Sequence, residues 1–210
     1  MATDSKLRRV PTQERSRRRL TAIVDAAAEI FAESGYEAAT MEAIAKRADT
    51  SIGSVYQFFP NKLAVFRAMA QRCIARTRDT FVEVLGDDPV SRPWEELADG
   101  MIDAFAVMVR QDAGSRALWR NLSLYSEYAK DDDAMIRTFV DSAALIIAAH
   151  GHDLKPAEAN RVATAAVHAV NGMLIALIRE SPQRSQALLE EAKVMIRSYL
   201  ANYLAPTLAS

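Results

Sequence analysis

One cysteine, Cys73, is all that 210 residues carry, which excludes an intrachain disulfide framework and fits a reducing compartment. It lies on an apolar helical stripe and reads as a small buried hydrophobe, not a redox centre. Glycine and proline are scarce, at seven each, and nothing is repeated or low in complexity, so the composition is that of a folded globular chain. No segment alternates apolar and polar residues as a half-buried strand does. The most apolar stretch, residues 162–178, contains Thr164, His168 and Asn171, is too short and polar to span a bilayer, and reads as a buried helix. Charges at the N-terminus have no apolar segment behind them, unlike a signal peptide, so the expected location is cytoplasmic with no membrane partner. His150 and His152 have no cysteine or carboxylate cluster beside them at metal-ligand spacing. With no glycine-rich phosphate loop and no nucleophile in a catalytic setting, neither an enzyme, a metal nor a cofactor is expected.

Charge is scarce in the sum and uneven along the chain. The net charge is −1, yet residues 1–80 hold 14 Lys/Arg against 9 Asp/Glu, a net +5, and the remainder 12 against 18, a net −6. Lys6, Arg8, Arg9, Arg15, Arg17, Arg18 and Arg19 concentrate in the first twenty residues, a density suited to neutralising phosphates.

The periodicity predicts an all-α chain. Leu20, Ile23, Val24, Ala27, Ile30 and Phe31 share one face of a helix over about 12–33, stopped by Gly35. Thr40 reopens a short helix as N-cap, with Glu42 in its first turn, and this helix runs to about Arg47. Ser51 caps a third helix whose apolar members are Ile52, Val55, Tyr56 and Phe59. Asn61 then caps a long helix carrying Leu63, Phe66, Met69, Ala70, Cys73, Ile74, Thr77 and Phe81 to about Leu85. Further helices are divided at residues 89–93, 111–114, 130–133, 151–156 and 181–182.

Two short helices joined by a tight turn, as residues 40–62 predict, are the geometry of a helix-turn-helix whose second helix enters the DNA major groove. Ser51, Ile52, Gly53 and Ser54 then face the bases, and their small or modest side chains allow close approach. Gly53 is informative because a mid-helix glycine costs about 1 kcal/mol relative to alanine, a cost that close approach to a partner would justify. Tyr56 can reach a phosphate with its hydroxyl while its ring rests on the core. Lys62 puts a cation in the first turn of a helix, against the macrodipole, and a DNA phosphate at that helix start would resolve the conflict. Lys62 is therefore expected to set part of the salt dependence of binding, and Ser54 and Gln57 the sequence preference.

Residues 12–66 resemble the N-terminal domain of the tetracycline-repressor (TetR) family. The pattern that carries the resemblance is Ala26-Ala27 to Phe31, Gly35-Tyr36, Thr40, Ile44-Ala45, Ser51 to Tyr56, Phe59 and Asn61-Lys62. It implies a three-helix DNA-binding head, a long connecting helix and a divergent C-terminal domain that dimerises and encloses a ligand. By matching position, Thr40, Tyr56 and Lys62 look like phosphate contacts, and Ile52, Gly53, Ser54 and Gln57 like the groove-facing surface; Ser51 and Arg47 complete the expected DNA-binding set. Asp49 stands where the family often has glycine in the turn, and Gln57 and Phe58 depart from the residues often found at their positions.

The expected division is a basic arm over 1–11, the helix-turn-helix domain over 12–60 and a helical ligand-binding and dimerisation domain over 61–210. Phe105, Met108, Trp119, Tyr125, Met173 and Leu177 are candidates for an apolar or amphipathic ligand, because aromatics and methionines line adaptable cavities. The broad apolar faces of helices near 156–179 and 184–204 predict a homodimer, with Ala166, Val170, Ile196 and Tyr199 at its interface. The function expected is a ligand-responsive regulator, most readily a repressor, on a double-stranded DNA operator, with the long helix from Lys62 as the lever that couples ligand to DNA. The alternative is a helical dimer whose N-terminal domain binds a protein; the basic arm, Gly53 and Lys62 argue for DNA.

Overall fold

The computed structural model describes residues 14–151 and 154–204; the basic arm 1–11, the start of the first helix at Thr12 and His152 lie outside them. Among the described residues are nine α-helices and no strand, in agreement with the helical periodicity, and the sole extended pairing there is an isolated bridge between Gly151 and Leu204. The helices are α1 (Glu14–Ser34), α2 (Met41–Arg47), α3 (Ile52–Phe58), α4 (Lys62–Leu85), α5 (Trp94–Gln111), α6 (Ala113–Arg120), α7 (Ala129–His150), α8 (Pro156–Arg179) and α9 (Pro182–Leu200). Short 3-10 turns cover Pro89–Ser91 and Leu122–Glu127.

Packing divides the chain into two compact units. The first combines the chain up to Ala75 with Asp112–Lys130; the second combines Arg76–Gln111 with Asp131–Ser210. Helix α4 runs unbroken across the boundary and belongs to both.

In the first unit, α1 buries Ile23, Val24, Ala27, Ile30 and Phe31, the stripe its spacing predicts, against α2 and α6. The ring of Phe66 on α4 meets Phe31 edge-on at 5.5 Å and Tyr36 at 5.6 Å, with Tyr128 at 6.3 Å. Helix α6 starts at Asp112, whose carboxylate accepts the Ser115 amide at 2.7 Å and the Ser115 hydroxyl at 3.0 Å. Arg67 donates to Glu127 at 2.7 Å, so an ion pair joins α4 to the 3-10 turn after α6. The segment 112–130 carries little in its sequence to announce this placement, because its hydrogen-bonded partners in the rest of the unit lie from 39 to 90 residues away.

The ends of α1 and α2 show why the second helix stops where it does. Gly35, at φ +82°, terminates α1 with its amide on Phe31 O at 3.1 Å. Asp49 does the same for α2 at φ +47°, the Thr50 amide reaching Ala45 O at 3.0 Å and the Asp49 amide Lys46 O at 3.3 Å, the paired bonds of a Schellman end. The aspartate thus keeps the left-handed geometry that glycine would adopt more cheaply. Asp49→Val is expected to cost about 1–2 kcal/mol of unfolding free energy, because a β-branched residue tolerates that conformation poorly, while Asp49→Gly is not destabilising. Urea titration reads both, and a valine variant as stable as the parent would contradict the turn.

In the second unit α9 packs along α8 and α5. Its core gathers Phe81, Trp94, Ile102, Phe105, Phe139, Leu177, Leu189 and Ile196, with Phe81 and Phe139 stacked at 4.0 Å. Two ion pairs tie α9 to α5: Lys193 to Asp103 at 2.7 Å and Arg197 to Asp99 at 3.2 Å. Pro156 occupies the start of α8, where its missing amide leaves no helical bond unmade.

One expected break is absent. Residues 130–133 lie within the first turns of α7, where Asp131 and Asp132 complement the helix dipole, so the polar run is a helix start and not a divider. The interruption falls earlier, at Asn121 and the 3-10 turn, where no proline or glycine marks it.

Candidate nucleic-acid interface

Helices α2 and α3 are each seven residues long, too short to hold themselves, and both are fastened by their caps and their buried sides. The Thr40 hydroxyl accepts the Ala43 amide at 3.1 Å, and the Ser51 hydroxyl accepts the Ser54 amide at 3.2 Å while sitting 2.9 Å from the Ser54 hydroxyl. Met41, Ile44 and Ala45 of α2 and Val55 and Phe58 of α3 are buried, as is Phe59 just beyond.

The opposite face of α3 is left to solvent. Ile52 is 36% and Tyr56 40% exposed, large for side chains of their type, and Gln57 and Ser51 are exposed beside them. A Cβ built on Gly53 would meet nothing within 4 Å, so no packing inside the described residues demands glycine there. Ser54 is half-buried. Ser51, Ile52, Gly53, Ser54, Tyr56 and Gln57 are thus brought together on one short helix, and Thr40 sits exposed at the start of the other.

Two expected contacts stand differently. The Arg47 guanidinium donates to Glu29 at 2.9 Å and to both oxygens of Glu33 at 2.9 and 3.1 Å, so its donors face α1 and are neutralised by two carboxylates. The hydrogen bonds from Arg47 lower the Glu33 carboxyl below its ordinary range, and the same bonds raise the guanidinium. A carboxylate lowered on folding stabilises the fold at neutral pH, and that contribution is lost as pH falls through its own lowered titration. Arg47→Ala is expected to return Glu33 to the ordinary carboxylate range in an NMR titration; an unmoved Glu33 would show that the pair does not form in solution.

The second is Lys62. Its ammonium donates to three backbone carbonyls, Tyr36 O at 2.6 Å, Ala39 O at 2.8 Å and Glu37 O at 3.2 Å, and lies 4.3 Å from the centroid of the Tyr36 ring. An ammonium has three donors and no acceptor, so none is left for a phosphate. The misfit between a cation and a helix start is relieved inside the molecule, by carbonyls of the link before α2. Asn61 does cap α4, its side chain accepting the Ala64 amide at 2.9 Å.

A family model described as bacterial regulatory proteins of the tetR family matches residues 23–69, and one described as a tetracyclin repressor-like C-terminal domain matches residues 93–200, more than half of the chain. The chain belongs to the TetR family. Among its sequence relatives, the transcriptional regulator SrpR of Pseudomonas putida is 34% identical over 82 residues, 39% of this chain and 37% of SrpR. UidR of Escherichia coli is 30% identical over 102 residues, 47% and 46% of the two chains. The repressor KstR of Mycolicibacterium smegmatis is 44% identical over 50 residues, 24% of each chain. The chain thus spans less than half the length of these three relatives. A TetR-family regulator from Streptomyces coelicolor matches 89% of this chain and 99% of its own, at 28% identity and a TM-score of 0.60. SmeT, solved as a complex with triclosan, has the same fold at 21% identity, covering 91% and 97% of the two chains with a TM-score of 0.68.

The candidates in the rest of this TetR-family chain fall in different places. Phe105 and Leu177 are buried in the core of the second unit, with Met108 and Met173 packed against it. Trp119 and Tyr125 belong to the first unit and the other four expected ligand residues to the second. Of the four expected interface residues, Ile196 is 3% and Ala166 9% exposed within the single chain; both spend their apolar surface on their own unit. Val170 and Tyr199 are half-buried, and the exposed large apolar residues of α9 are Val194 and Met195. Among the described residues no group of three His, Cys, Asp or Glu is placed to hold a metal, and no helix is long and apolar enough to cross a membrane.

Proposed function

We propose that this TetR-family chain is a sequence-specific DNA-binding regulator of transcription, acting in the cytoplasm as a repressor that a small molecule releases from a double-stranded operator. The observation that carries the reading is the outward face of α3: Ile52, Gly53, Tyr56 and Gln57 stand exposed on a helix fixed by its cap and its buried side, with open space at Gly53. A recognition helix needs that combination of a rigid back and a low, unobstructed front. The names of the relatives, KstR among the repressors and SmeT with its triclosan complex, support repression and an apolar ligand. Phe105, Met108, Met173 and Leu177 would supply such a ligand with apolar contacts. Residues 12–60 would be the DNA-reading part and α4, continuous from Lys62 to Leu85, the covalent route by which a ligand biases it. Two chains, paired through α8 and α9, would present two recognition helices to successive turns of the groove, about 34–36 Å apart or a multiple of that.

Selection of bound fragments from a sheared-genome library, followed by footprinting, tests the reading. A protected inverted repeat whose affinity falls steeply with salt is expected. Failure to enrich any sequence, or enrichment without footprint, would refute sequence-specific regulation. Once a ligand is found, titrating it into free and DNA-bound protein should give unequal affinities, since coupling is reciprocal.

A further inference from the structure

The link between α1 and α2 is only a few residues long, and two side chains from elsewhere in the sequence hold it. On one side the Tyr36 amide donates to Asn121 Oδ1 at 2.7 Å, while Asn121 Nδ2 donates to Ala117 O at 2.7 Å and Phe31 O at 3.4 Å. On the other, the Lys62 ammonium gathers the carbonyls of Tyr36, Glu37 and Ala39. The N–H and the C=O of Tyr36 are therefore each anchored, one by an amide 85 residues away, the other by an ammonium 26 residues away. Asn121 is buried, so losing it leaves a desolvated amide and two carbonyls poorer by a donor.

We propose that Lys62 and Asn121 are positioning residues for DNA binding: they bracket the 36–39 link, which places the Thr40 cap and hence sets the attitude of α2 and α3. The inference rests on the DNA-binding reading above. Sequence matching gives Lys62 a phosphate; the bracket gives it carbonyls and adds Asn121, which neither the helix-turn-helix pattern nor the family resemblance singles out. Charge is needed at Lys62 because one nitrogen must donate three converging bonds, which a planar guanidinium cannot do.

The test uses the full chain and the tightest fragment recovered by the selection above. Lys62→Met is expected to weaken binding roughly tenfold, the worth of about one charge-assisted hydrogen bond, with the slope of log Kd against log salt unchanged. Lys62→Arg should weaken it in the same sense, whereas a phosphate contact would accept arginine readily. Asn121→Ala should also weaken binding without changing the slope, and the Lys62→Met/Asn121→Ala pair should lose less than the product of the two single losses, because both act on one link. In DNA-free protein, hydrogen exchange at residues 36–40 should accelerate in each variant. A slope shallower by about one unit in Lys62→Met, with Lys62→Arg binding as the parent does, would return Lys62 to the phosphate and overturn the proposal; so would unaltered exchange of the Tyr36 amide in Asn121→Ala. Should Lys62→Met not fold, Lys62→Arg and Asn121→Ser carry the same comparisons. A parent chain that selects no DNA refutes the proposed function instead, and the exchange arm then decides the bracket alone.

Discussion

Phe66→Ala is expected to lower the unfolding free energy by about 3–5 kcal/mol, the usual loss for a buried aromatic truncated in a packed core. Phe66 is fully buried, and its ring is the meeting point of Phe31 from α1, Tyr36 from the link and Tyr128 from beyond α6. Three parts of the sequence, around residues 31–36, 66 and 128, thus meet at this one ring. Edge-on ring contacts add about 0.5–1.5 kcal/mol each beyond area burial, so the loss should fall in the upper half of that range. Against a typical stability of about 5–15 kcal/mol this is enough to leave the first unit marginal, and the proposed DNA binding should fail on warming before the second unit melts. Phe66→Leu, which keeps much of the volume, should cost well under half as much. Urea unfolding followed by far-UV circular dichroism reads both, and a loss below about 1 kcal/mol for Phe66→Ala would contradict the aromatic cluster.

Ile196→Asp is the second large effect. Ile196 sits inside the core formed with Phe105, Leu177 and Leu189, and an aspartate there would be an unpaired buried charge. The cost is expected to be about 4 kcal/mol or more, taken up by unfolding of the second unit or by protonation of the carboxyl. Met195 and Val194, 42% and 50% exposed on the same helix, give the contrast. Met195→Asp and Val194→Asp should change single-chain stability by no more than about 0.5 kcal/mol, yet should dissociate the proposed homodimer if α9 forms its interface. Denaturation and sedimentation on the three variants separate the roles. A clean dimer-to-monomer shift from Ile196→Asp with stability intact would contradict its burial; a dimer indifferent to Met195→Asp and Val194→Asp would remove α9 from the interface.

Buried and exposed apolar residues on α9 could not be told apart by periodicity. The helix carries a broad apolar face, and spacing shows where that face is, not which part of it α5 and α8 already cover. Ile196 and Tyr199 therefore looked equivalent, although one is core and the other half-buried. The six ligand candidates are shared between the units for a related reason: Trp119 and Tyr125 have the chemistry of pocket residues, and nothing in their local spacing shows that the segment holding them packs in the first unit.

Sequence by itself determined what depends on neighbours a few residues apart. The helical periodicity, the caps at Thr40, Ser51 and Asn61, and the stop at Gly35 are local hydrogen-bond and backbone problems, and each has the solution its residues announce. The exposed row on α3 followed as well, since a seven-residue helix with Val55 and Phe58 buried has only one other side. Tertiary structure decided where charge goes and what holds the link. Arg47 and Lys62 each had two destinations of comparable electrostatic merit, a phosphate outside or an acceptor inside, and the choice depends on Glu29, Glu33 and the carbonyls of Tyr36, Glu37 and Ala39 lying within 3.2 Å. Asn121 was invisible for the same physical reason: a buried amide is recognised by the groups that satisfy it, and here those include Phe31 and Tyr36, at the far end of the sequence of the first unit.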